Sequence, residues 1–205
     1  MTSSCNIDYQ ALLKASQNAY NLIDEMRDFA PFPDDIAAQE MTKRDHLARA
    51  LLQQETSLQS GQFAALADLI QKTAPDMCWR DIYTPPPQTK DKDAYEFSNR
   101  LGCYSLIGKD APYSSDTLRL FIVYMPANLH YPWHTHPAEE IYLVISGSAI
   151  FKRQNHLDEH LKEGQTMFHQ SQQPHAIITK DEPLLSLVAW RNHLDTPPIL
   201  LEDIS

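Results

Sequence analysis

A mainly β fold behind a helical N-terminal segment is what this sequence predicts, on three observations. Residues 6–73 contain one glycine, Gly61, and repeat apolar side chains at three- and four-residue steps, the period of helices that bury one face. From Cys78 onward the chain turns to short runs rich in β-branched and aromatic residues, which suit a pleated, half-buried surface. No helix-length segment separates those runs, so the strands should pair antiparallel, as a sandwich or barrel.

Tyr9, Leu12, Leu13, Tyr20, Leu22, Ile23 and Met26 mark the first helical stretch. Pro31 and Pro33 interrupt it, Asp34 or Asp35 can cap a second helix, and Ile36, Met41, Leu47, Leu51 and Leu52 continue on a helical period, since proline ends a helix and a short acidic side chain starts one. A third helix is expected across Phe63, Leu66, Leu69 and Ile70. Three prolines and alternating charge make residues 84–94 an exposed, extended loop. Strands are expected over residues 118–124, 141–145, 149–151, 176–179 and 184–190. Residues 1–76 then form a helical segment packed on a barrel of residues 77–205.

Composition narrows the function. The 205 residues are 42% apolar and 21% charged, ordinary for a folded domain and unlike a disordered chain. Seventeen Lys and Arg stand against 27 Asp and Glu, a formal charge of −10, a field that repels nucleic-acid phosphates and anionic lipid. The acidic N-terminal helices carry no basic recognition surface. No apolar run approaches the roughly 20 residues a bilayer requires, and Met1 to Asp8 lacks a basic start and an apolar signal core. A cytoplasmic protein without nucleic-acid or membrane partners is expected. Cys5, Cys78 and Cys103 are odd in number and widely spaced, which reads as reduced thiols.

The chemistry concentrates in four histidines, His134, His136, His169 and His175. In an extended chain residues two apart face the same side, so His134 and His136 project together, and Glu140 shares its side with Tyr142 on the next strand. Imidazole and carboxylate suit a divalent transition metal such as Zn, Fe, Mn, Ni or Co. Glu139 has the opposite parity and is expected in a supporting or surface role. His169 is expected to be a hydrogen-bonding residue of the barrel rim or core.

His134, His136, Glu140 and Gly147, at spacings of two, four and seven residues, followed by Gly164 and by Pro174, His175 and Ala176, resemble the two motifs of the cupin family. At Gln170 and Gln172 the chain departs from that family's Pro-x-Gly turn, and Thr179 stands where its asparagine falls. The resemblance implies a double-stranded β-helix, or jelly-roll, barrel with one metal ion held by His134, His136, Glu140 and His175. Homodimerisation through barrel edges, common among cupins, is left open.

The wording from His134 to Tyr142, with Gln173, Pro174, His175 and Ala176 downstream, is similar to the cupin-type dimethylsulfoniopropionate (DMSP) lyases and lyase-like proteins. That resemblance implies a small-molecule carboxylate substrate, cleaved to dimethyl sulfide and acrylate by β-elimination. Tyr142, two residues after Glu140, takes the role of base, with Tyr131 as a further active-site tyrosine. Aromatic faces attract a sulfonium by roughly 0.5–2 kcal/mol, and Tyr131, Trp190, Trp133 and Tyr124 are the candidates to supply them. The alternatives from the same ligands are an Fe(II)-dependent cupin dioxygenase and a non-catalytic cupin that binds a small carboxylate.

Overall fold

The computed structural model describes residues 9–58, 61–83 and 92–201. Cys5 and most of the proline-rich stretch after Tyr83 lie outside them. The chain begins with α1 (Tyr9–Leu22) and α2 (Asp24–Phe29), then runs extended through β1 (Ala37–Ala38) into α3 (Leu47–Gln54) and α4 (Ala64–Thr73). It continues through β2 (Trp79–Arg80), α5 (Lys92–Arg100), β3 (Gly102–Ile107), β4 (Tyr113–Ser114), β5 (Arg119–Met125) and β6 (His130–Thr135). Then come β7 (Glu139–Arg153), β8 (Glu159–Lys162), β9 (Thr166–His169), β10 (His175–Ile178), β11 (Leu184–Arg191) and β12 (Ile199–Leu200).

β7, at 15 residues, belongs to two sheets. Its first half lies between β11 and β9, in a sheet that continues through β5, β3 and β4 to β1. Its second half lies between β10 and β8, in a sheet that continues through β6 to β12. Every pairing among these is antiparallel except β3 with β4. Gly147 is the point of transfer: its φ is +76°, and a Cβ there would stand 1.8 Å from the Pro183 carbonyl oxygen, a position glycine alone can occupy. The result is a double-stranded β-helix, the expected architecture.

Alternating residues of the first sheet divide the apolar interior. Leu120, Ile122, Ile141, Leu143, Leu187 and Ala189 pack against Leu12, Tyr20, Met26, Leu52 and Ile70 of the helices. Phe121, Val123, Tyr142, Val144, Val188 and Trp190 face into the barrel. Burial of such side chains is worth about 1.5–3 kcal/mol each, which holds the helical layer on the sheet.

Two local readings are corrected. The helix expected to resume after Pro33 starts only at Leu47. Residues 31–46 instead form an extended strap, because its polar groups find partners across the barrel: Gln39 Nε2 donates to the Gly108 and Ala111 carbonyls at 2.6 and 2.9 Å, and the Asp35 carboxylate accepts from Ser115 Oγ at 2.6 Å and the Asp116 amide at 2.8 Å. The loop expected through residue 94 gives way at Lys92 to α5, whose Phe97 is buried against Tyr131. No helix among the described residues is long and apolar enough to cross a membrane.

Candidate active site

The barrel register brings the polar cluster together. Glu140 of β7 has His169 of β9 and Trp190 of β11 as its cross-strand neighbours, and His175 of β10 stands opposite His134 of β6. Residues opposite one another across a ladder share a face, so both rows point into the barrel. A register shift on β6 sets two residues, Pro132 and Trp133, against the single position between His175 and Ile177. This bulge lets Tyr131 and His134, three apart, both turn inward, where their rings stack with centroids 3.8 Å apart.

Three imidazoles are oriented by their own backbone. Nδ1 of His134 contacts the Pro132 carbonyl at 2.8 Å, Nδ1 of His136 the Ala138 carbonyl at 3.0 Å, and Nδ1 of His175 the Gln173 carbonyl at 2.8 Å. A carbonyl only accepts, so Nδ1 carries the proton in each ring and leaves Nε2 as a lone-pair donor. Nε2 of His136 and of His175 are buried without a hydrogen-bond partner among the described residues. They stand 3.5 and 3.2 Å from Glu140 Oε2. Atoms sharing one ion through bonds of roughly 2.0–2.2 Å lie roughly 3–3.6 Å apart, so this donor set fits a divalent metal. Ligand atoms of His134, His136 and His175, and likewise of Glu140, His169 and His175, lie within 4.8 Å of one another.

The carboxylate at the centre is anchored at both oxygens. Trp190 Nε1 donates to Glu140 Oε1 at 2.6 Å, and His169 Nδ1 contacts Oε2 at 2.9 Å. Burial alone would raise the Glu140 pKa, but His136, with the adjoining imidazoles of His169 and His175, holds it well below the usual carboxylate range. Burial and the neighbouring His175 push His134 well down and His169 down to about 3. The opposite holds at His136, where Glu140 overcomes burial and raises the pKa. Neutral imidazoles beside one carboxylate are the form in which these residues ligate metal.

The second motif, which lacks the Pro-x-Gly turn and the asparagine of the cupin pattern, closes through Gln172 and Thr179. Gln172 adopts φ +62°, the conformation its glycine would otherwise supply, and its amide donates to the His136 carbonyl at 2.9 Å. Thr179 Oγ1 accepts from the Leu129 amide at 2.9 Å and donates to the Pro126 carbonyl at 2.6 Å. These bonds hold the loop and strand bearing His175 against those bearing His134 and His136.

The residues expected at the site divide into two groups. His134, His136, Glu140 and His175 meet at the cluster, and Tyr131, Tyr142 and Trp190 line the adjoining cavity of about 740 Å³. The Tyr142 ring lies 5.7 Å from His169 and 5.3 Å from Phe151. Burial and then Glu140 raise its pKa well above the ordinary phenol range. The two remaining aromatics are corrected. Tyr124 is one residue out of step with Phe121 and Val123 and lies on the helical side of the sheet. Trp133 sits in the bulge, outside the cavity lining. Glu139 accepts from Arg191 Nε and Asn192 Nδ2, each at 2.9 Å, which keeps it away from the cluster. His169 joins the cluster by its hydrogen bond to Glu140, a role of the kind expected for it.

Phe121, Cys103 and Arg80 also line the cavity and went unnoticed in the sequence. Phe121 was findable: it pairs with Val188, on the same face as Trp190, but register is not written in a single strand. The Cys103 thiol is pushed up to about 11 by burial, and Cys78 and Cys103 are both free of disulfides.

A jelly-roll barrel with an inward His and Glu cluster beside a tyrosine-lined cavity defines a cupin with a metal-binding type of site. Its relatives are specific. The family model for dimethylsulfoniopropionate lyase matches residues 26–186, and the chain belongs to that family. It is 36% identical over 192 residues to the dimethylsulfoniopropionate lyase DddQ of Ruegeria pomeroyi, covering 94% of this chain and 93% of that protein. The crystal structure of DddQ from Ruegeria pomeroyi DSS-3 superposes with a TM-score of 0.86, covering 94% of this chain and 95% of that one. A crystal structure of the DMSP lyases RdDddP and RnDddQII gives 0.85 at 31% identity, covering 95% and 97%.

Proposed function

We propose that this protein is a carbon–sulfur lyase that cleaves DMSP, or a close analogue, to dimethyl sulfide and acrylate with one divalent transition metal held by His134, His136, Glu140 and His175. The observation that carries the reading is the clustering of those four donors beside the cavity that Glu140 and Tyr142 line, within a chain of the DMSP lyase family. Zn, Fe, Mn, Ni and Co all suit the donors. When bound, the metal supplies Lewis acidity that stabilises negative charge beside the substrate carboxylate and favours the phenolate of Tyr142.

Tyr142 is the base. Its phenolate oxygen takes the proton from the α-carbon; the C–H electron pair becomes the second bond between the α- and β-carbons. The β-carbon–sulfur bond breaks, and dimethyl sulfide leaves with that electron pair, which cancels the sulfonium charge. The proton on Tyr142 must pass to solvent before the next turnover. Tyr131 and Trp190 bound the space on either side of the cluster, and their faces suit the sulfonium. The buried walls limit water near the reacting carbon, which strengthens each of these electrostatic contacts.

Purified metal-loaded protein given DMSP should release dimethyl sulfide and acrylate in equal amounts, at the same rate with and without oxygen. Release that requires oxygen would point to the dioxygenase alternative, and binding without product would point to the carboxylate-binding one.

A further inference from the structure

The cavity wall carries three cationic side chains, Arg80, Lys109 and Arg119, and they are not equivalent. Arg119 is paired with Asp195 at 3.2 Å, and Lys109 is exposed at the rim. Arg80 is half-buried on β2 and has no carboxylate in ion-pair reach among the described residues. Its side chain makes one long hydrogen bond, 3.3 Å to Ser105 Oγ, and its guanidinium carbon lies 5.5 Å from the centre of the Phe121 ring. A guanidinium presents five donors in a planar fork that matches a carboxylate, so most of the donors of Arg80 are uncommitted among the described residues.

Its direction is set by pairing. Arg80 stands opposite Cys103, on the strand face turned into the barrel. Arg80, Cys103 and Glu140 all line this cavity, so the two charges face one space. Phe121, which carries the Arg80 guanidinium over its ring, packs edge-on against Trp190 at 5.2 Å. The cavity wall thus carries, beside Phe121, a guanidinium with no carboxylate partner among the described residues, a fork that matches the carboxylate end of a zwitterion entering the cavity.

We propose that Arg80 is the carboxylate-recognising residue of this cavity, capturing the carboxylate of a short zwitterionic substrate on its way to the cluster and that of the anionic product on its way out. The proposal rests on the lyase reading for its substrate. Arg80 acts on binding and leaves the chemical step to Tyr142. A charge-assisted, bidentate contact supports an effect of about ten-fold in affinity.

The test compares Arg80→Met and Arg80→Lys with the parent in the metal-loaded protein. KM for DMSP should rise about ten-fold in Arg80→Met with kcat changed by less than about three-fold, and Arg80→Lys, which keeps the charge without the fork, should fall between. Calorimetric binding of acrylate should weaken by the same factor, while trimethylsulfonium, which has no carboxylate, should bind as before. Unchanged acrylate binding in Arg80→Met overturns the proposal. Equal loss for acrylate and trimethylsulfonium also overturns it, because that is the result of a collapsed wall around Phe121. If the parent protein does not turn over DMSP, the lyase reading fails by itself, and the acrylate measurement still decides the role of Arg80.

Discussion

Along β5, β7 and β11, neighbouring residues belong to two regions with different tasks. Ile141, Leu143, Leu187 and Ala189 meet the helices in a dry apolar layer. Glu140, Tyr142, Val188 and Trp190, each one residue away, face a cavity lined by a buried carboxylate and adjoined by imidazoles whose Nε2 atoms have no hydrogen-bond partner among the described residues. The apolar layer gains from every contact. The inner face concentrates polar groups that cost free energy to bury unless something ligates them. The outer layer therefore stabilises a fold in which the inner face can remain unsatisfied, as functional sites commonly are.

Substitutions can break this division. The largest effect should come from the inner face: Glu140→Ala or His175→Ala should remove bound metal and with it nearly all turnover, read as metal content and rate on the same sample. Retention of a full complement of metal would remove those residues from the donor set. On the outer face, Leu187→Ala should cost about 2–5 kcal/mol of stability, seen in thermal or denaturant unfolding, while activity per folded molecule stays near the parent value. A selective loss of kcat there would show that the two regions are not separable.

Trp190→Phe sharpens the boundary. The ring face survives, but the 2.6 Å bond to Glu140 is lost. Partners that orient a metal ligand are commonly worth about 10–100-fold in metal affinity, so a titration against a competing chelator should show a loss in that range. An unchanged affinity would assign Trp190 to packing and substrate contact alone.

The smallest effect concerns the strap. Hydrogen bonds from Ser115 and then the Asp116 amide lower the Asp35 pKa. A carboxyl lowered in the folded state stabilises above its unfolded pKa of about 3.9 and loses that contribution as pH falls through the folded value. The thermal midpoint of Asp35→Asn should thus lie below the parent near neutral pH, with the gap closing as the solution is acidified below about pH 4.

What could be read in the sequence tracked physical signal. β5, β10 and β11 announced themselves as β-branched runs, and two predicted strands proved to be the two halves of β7, joined because Gly147 permits a bend without a break. β6, which carries His134, was not predicted as a strand, since Pro132 and the bulge remove the alternation a strand usually shows. The strap was read as helix because Ile36 and Leu47, eleven residues apart, fall on one helical face, while the bonds made by Asp35 and Gln39 that hold it extended come from residues about 70–80 positions away. That His134, His136, Glu140 and His175 would gather was legible from spacing and resemblance. Tyr124 was misplaced because alternation says which residues share a face but not which face meets the cavity, and Arg80 was missed because a single arginine on a two-residue strand carries no pattern.

The most direct test of a metal site with a separate tyrosine base is a comparison of Tyr142→Phe with the parent, measuring dimethyl sulfide release and bound metal in the same preparation. The rate should fall by about 10²–10⁴-fold with metal content unchanged, because the phenol lies beside the cluster and is not among the four proposed donors. A variant that keeps its rate would contradict the base role of Tyr142, and one that loses metal and activity together would make Tyr142 part of the metal site.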